Sequence, residues 1–89
     1  MSFDHQYYQR LESDLERLLL DLSSELSDPD AAEVRSFIDA GEYGVAFETL
    51  CDVIVERGVV IPRDAHERMT ELAGRMDIEK RFWSELKSE

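Results

Sequence analysis

The sequence holds a single cysteine, Cys51, so no disulfide can form within the chain, a usage that fits a reducing compartment. Long hydrophobic runs are missing too. Stretches such as Leu18–Leu20 and Val59–Ile61 fall far short of the about 20 apolar residues needed to cross a bilayer as a helix. The opening MSFDHQYYQR offers neither a basic start nor an apolar h-region. No secretory signal is expected, and a cytoplasmic location is. The four glycines, Gly41, Gly44, Gly58 and Gly74, spell neither a phosphate loop nor a dinucleotide fingerprint. Bases are scarce in one part only. Through Glu56, fourteen acids stand against three bases, Arg10, Arg17 and Arg35, whereas from Arg57 onward seven acids meet seven bases. The whole formal charge of −11 therefore belongs to the first 56 residues. Such a surface repels phosphate backbones and anionic lipids and attracts basic macromolecules. Neither nucleic acid nor membrane is an expected partner.

What is present is helical periodicity. The 89 residues suffice for one small domain, residues 1–89, with one modest core. A first helix is expected from about Asp4 to Leu26, with Tyr8, Leu11, Leu15, Leu18, Leu22 and Leu26 along one face. Asp28-Pro29 opens a second helix, to about Ala40, with Asp28 as N-cap and Ala32, Val34, Phe37 and Ile38 buried. Gly41 closes that helix, and Gly58 closes a third running from about Tyr43 to Arg57. Pro62 opens a fourth, to about Arg75, with Ala65, Met69, Leu72 and Met76 in register. A fifth, capped by Asp77, is expected from about Ile78 to Lys87. Val59-Val60-Ile61 has strand-like composition, but the sequence offers no second strand to pair with it, so an extended connector plugging the core is expected. The fold class is all-α: a compact antiparallel bundle of about five helices joined by short connections.

Reactive chemistry finds little footing. His5 and His66 stand at ligand spacing neither from each other nor from Cys51, so no metal and no cofactor is expected. Cys51 lies between Phe47 and Ile54 beside the apolar stripe of the third helix, as a small core residue with a raised pKa. With no nucleophile–base pair either, the chain does not read as an enzyme.

The acids carry more information. Within FIDAGEYGVAFETLCDVIVERG, Glu48, Asp52 and Glu56 recur every fourth residue beside the apolar stripe of Tyr43, Phe47, Leu50 and Ile54. Like charges one turn apart cost about 0.2–0.5 kcal/mol per pair on an isolated helix. Part of the acid surface has a structural account. Asp28, Asp30 and Glu42 suit helix N-termini, and Arg10–Asp14 and Arg17–Asp21 are i, i+4 partners. The remainder is either a solvated face or a binding face for a cationic partner. Asp39, Glu42, Glu48, Asp52 and Glu56 are the candidate partner-binding residues.

The segment Val34 to Leu50, VRSFIDAGEYGVAFETL, resembles the Maf-type immunity family of bacterial polymorphic toxin systems. Val59-Val60-Ile61-Pro62 and Met76-Asp77-Ile78 fit the same pattern. The resemblance implies a small cytoplasmic antidote that binds the toxic C-terminal domain of a cognate secreted or contact-delivered toxin, commonly a nuclease with a basic substrate surface. It brings no mapped functional residues. A second reading treats the chain as a helical adaptor that grips its partner through an apolar groove, with Trp83, Phe82 and the leucine stripe as anchors. Self-repulsion disfavours pairing through the acidic face, so the free chain is expected to be a monomer or a weak dimer.

Overall fold

The computed structural model describes residues 5–89. Helix α1 spans His5–Leu22, and a single 3-10 turn, Ser23–Glu25, completes its end. The expected start at Asp4 lies outside the described residues. The Ser23 hydroxyl donates to the Leu20 carbonyl at 2.8 Å, tightening that last turn, and Leu26 closes the stripe at 8% exposure. Helix α2, Asp28–Asp39, begins one residue earlier than expected. Its N-cap is Ser27, not Asp28, because the Ser27 hydroxyl reaches the Asp30 amide at 3.2 Å. Gly41, at φ 76°, turns the chain into α3, Tyr43–Arg57, which has the expected bounds and ends on Gly58 at φ 67°.

Helix α4, Arg63–Met76, ends on Asp77, which adopts the left-handed conformation at φ 55° while Ile78 N–H bonds back to the Ala73 carbonyl at 2.9 Å. Asp77 therefore terminates α4 and does not cap a fifth helix. That fifth helix, α5, is a single turn, Lys80–Trp83, where about ten residues were expected. The chain after it runs extended. Strand β2, Lys87–Ser88, pairs in parallel with β1, Val60–Ile61, and the Glu89 amide donates to the Ile61 carbonyl at 3.0 Å. The connector thus has a partner strand that the sequence pattern did not reveal. A lone helix below about 12 residues is marginal, so two things outweigh local propensity here: burial of Leu86 and pairing with the open edge of β1.

The fold is compact and all-helical apart from this short strand pair. One continuous core joins Leu15, Leu18 and Leu22 of α1, Val34 and Ile38 of α2, Phe47, Leu50 and Ile54 of α3, Ile61, and Met69 and Leu72 of α4. Two expected core residues lie elsewhere. Tyr8 is 45% exposed, and its neighbour Tyr7 packs against the core instead. Ala32 is exposed, and Ala31 takes its place. In both cases the burying arc lies one residue away from the spacing-based choice. Among the described residues no polar or charged side chain is fully buried, and no helix is long and apolar enough to cross a membrane.

Phe47 is fully enclosed at the centre of this core, so Phe47→Ala is expected to cost about 3–5 kcal/mol in a denaturant titration. At Gly58 an added methyl meets nothing within 4 Å, so Gly58→Ala is expected to cost only the about 1 kcal/mol of its left-handed backbone.

Candidate partner-binding surface

The arginines decide which carboxylates are free. Helix α1 was expected to satisfy its acids internally through Arg10–Asp14 and Arg17–Asp21. Its acids bond instead to other elements. Arg75 of α4 holds Asp14, Arg68 of α4 holds Asp21 at 2.9 Å, and Arg35 of α2 holds Glu16 at 2.8 Å. Glu12 accepts from the Tyr43 hydroxyl at 2.9 Å. That bond, aided by burial, raises the phenol above its ordinary range. The Tyr7 hydroxyl donates to the Arg75 carbonyl at 3.0 Å, tying the start of α1 to the end of α4. Leu18 of α1 and Leu72 of α4, both enclosed, stand at the same cleft as Asp14, Arg68 and Arg75, so the packing that buries these leucines also brings charged groups of the two helices together.

On α2 and α3 the balance differs. Arg57 folds back onto Asp30, with Nη2 3.1 Å from the carboxylate. The carboxylates of Glu33, Asp39, Glu42, Glu48, Asp52 and Glu56 find no ion-pair or hydrogen-bond partner among the described residues. Asp52 and Glu56 converge with Asp30 and Glu33 around a groove of about 370 Å³ between α2 and α3, with Thr49 and Val53 in its wall. Glu42 stands in a different groove, of about 430 Å³, among Tyr7, Tyr8 and Tyr43. Asp39 and Glu48 line neither groove; Asp39 is exposed at the last position of α2, and Glu48 is half-buried. The structure therefore divides the five candidate residues. It also adds Glu33, which is not one of the five. The signal that could have found Glu33 is the helical hairpin itself, which sets the start of α2 beside the end of α3.

Two of these acids sit where local electrostatics opposes them. Asp39 ends α2, and Glu56 lies in the last turn of α3, where the helix dipole disfavours negative charge. Cys51, on the same helix, is fully enclosed. Burial, then the charges of Asp52 and Glu48, pushes its thiol up to about 12. Among the described residues no cluster of three or more His, Cys, Asp or Glu is placed to hold a metal ion. Trp83 packs against the core and donates its indole N–H to the Ile78 carbonyl at 3.3 Å, and the Arg81 guanidinium covers the Phe82 ring at 4.5 Å. No family model matches the chain, and no curated protein or solved structure shows significant similarity to it.

The thiol sets a pH signature. Below pH 9.0, its ordinary value, Cys51 is neutral in folded and unfolded chains alike. Above that, the unfolded thiol ionises while the enclosed one does not, so unfolding is favoured as pH rises toward about 12. Between about pH 9 and 11 the native chain is expected to lose about 1 kcal/mol per pH unit relative to Cys51→Ala, measured by urea unfolding. Equal pH slopes would overturn that account of the site.

Proposed function

We propose that the chain is an immunity protein that neutralises a basic toxin domain by laying the acidic α2–α3 face over its active site or substrate surface. The observation that carries the reading is the allocation of charge. The acids of α1 are taken up by Arg35, Arg68, Arg75 and the Tyr43 hydroxyl, whereas Glu33, Asp39, Glu42, Glu48, Asp52 and Glu56, on α2, α3 and the turn between them, have no ion-pair partner among the described residues. The likeness of Val34–Leu50 to Maf-type immunity proteins supports the same role. A nuclease needs a cationic surface for its phosphate substrate, and carboxylates held on a rigid helix face occupy such a surface in place of phosphates. Attraction between the two faces speeds encounter, and the like-charge repulsion along α3 is relieved in the complex. The chain itself is no enzyme in this reading and acts in the cytoplasm, as a monomer or weak dimer when free.

The adaptor alternative draws little support. The leucines it needs are enclosed, and Trp83 is committed to the core and to Ile78.

Asp52 and Glu56 are exposed, so reversing both to lysine leaves the core untouched. The double variant is expected to keep or raise its thermal midpoint, because it removes self-repulsion. In its native cells it is expected to lose protection and to recover on the order of tenfold less of a basic domain at low salt than the unmodified chain. Unchanged protection at unchanged stability would remove the α2–α3 groove from the interface. Recovery from the unmodified chain of a neutral partner that survives high salt would sink the antidote reading itself.

A further inference from the structure

The groove around Glu42 differs in kind from the acidic groove between α2 and α3. Its walls are aromatic and apolar: Tyr8, Tyr43, Val45 and Met76, with Tyr8 45% and Val45 41% exposed. Positions 41 and 44 are glycines, so no side chain there fills the opening. The Tyr8 and Tyr43 rings stand 6.4 Å apart between centroids at a 32° tilt, so a single cation can lie within about 6 Å of both. Among the described residues, Glu42 is the one charged residue lining the groove. Behind it, Glu12 holds the Tyr43 hydroxyl at 2.9 Å, fixing that ring in place. Every acid and ring named here belongs to the part of the chain that carries the full −11 charge.

We infer that this groove is the docking point for an arginine side chain presented by a basic protein partner. Ring faces carry negative potential, so they attract a cation while accepting its apolar edges, and a carboxylate at the rim supplies the counter-charge. Arginine fits better than lysine, because the flat guanidinium stacks on aromatic rings and offers paired N–H donors to Glu42. The groove is shallow and open. A small free cation would remain largely in water there, whereas a side chain carried on a protein is held by contacts outside the groove. The choice of a basic protein as occupant rests on the antidote reading. The aromatic–acid geometry is separate from it and lies apart from the Asp52–Glu56 face.

The test uses the full chain, isotope-labelled for NMR and titrated at low ionic strength with the capped pentapeptide Gly-Gly-Arg-Gly-Gly. The same peptide with neutral citrulline replacing arginine is the control. Shift changes are expected to centre on Tyr8, Glu42, Tyr43 and Gly44. Tyr8→Leu, at an exposed position, is expected to weaken binding about threefold, and Glu42→Gln or citrulline at least as much. Absence of binding, shifts spread evenly along the acidic helices, shifts centred on Asp52 and Glu56, or indifference to Tyr8→Leu would each overturn the inference. The Asp52→Lys, Glu56→Lys variant separates the two proposals, because its shift pattern with the arginine peptide is expected to stay in the tyrosine groove even where protection is lost.

Discussion

Covering the leucines of α1 is the constraint on which the rest of the molecule depends. Leu11, Leu15, Leu18, Leu19 and Leu22 are all at or below 4% exposure, and Leu18 and Leu19 are adjacent, so the apolar arc is wider than one stripe. One neighbouring helix cannot cover such an arc. Helices α2 and α3 pack against it, and α4 is tied to it through Arg68–Asp21, Arg75–Asp14 and the Tyr7 hydroxyl. Once α4 lies there, its Arg68 and Arg75 meet Asp21 and Asp14 of α1, each pair of positions seven residues, or about two turns, apart. Hydrophobic burial thus decides which acids receive a counter-charge. The bridges are exposed and individually worth about 0–1 kcal/mol, so they distribute charge more than they stabilise the fold.

The sequence was most legible where one periodicity and two punctuation marks agreed. Helix α3 has a clean apolar stripe, a glycine at each end and the expected bounds. It was least legible where short segments compete. The residues after Asp77 read as a helix by spacing, yet only Lys80–Trp83 is helical, because the backbone of Val60–Ile61 offers Lys87–Ser88 hydrogen bonds that no local pattern announces. Side-chain choice at Ser27 and Asp28 shows a finer limit: both are good caps, and only the hydroxyl-to-Asp30 geometry selects Ser27. For the candidate surface, the acid row on α3 was legible as a row. Its partners were not, because ion pairs between helices depend on packing. Asp14 and Asp21, expected to pair with Arg10 and Arg17 of their own helix, pair with Arg75 and Arg68 of α4.

The charge asymmetry along the chain acquires a spatial meaning from this packing. The neutral C-terminal part contributes Arg57, Arg68 and Arg75 to carboxylates of the acidic part. Had those arginines been spread evenly, a weakly negative surface would result on all sides. Two of the three stand against α1 and only Arg57 reaches α2, which leaves a run of carboxylates on α2 and α3 without an ion-pair partner among the described residues. A field concentrated on one face orients an approaching cationic partner, which a uniform net charge of the same size does not do.

Solubility alone is a poor account of where these acids stand. Solubility is served by a carboxylate anywhere on the surface, and helix N-termini are the places where one also stabilises. Asp28 and Asp30 occupy such places in α2. Asp39 and Glu56 occupy the opposite ends, where the dipole penalises them; the last turn of α2 holds no basic residue, and Arg57 in the last turn of α3 pairs with Asp30 and not with Glu56. Glu48, Asp52 and Glu56 add repulsion at four-residue steps along α3. These are local costs of a few tenths of a kcal/mol each, carried by the burial of Phe47, Leu50 and Ile54 on the other side of the same helix. Where a sequence departs from its local optimum on one face while the opposite face is well packed, function is the expected reason. For carboxylates held in a row, a surface of opposite charge is what removes the cost.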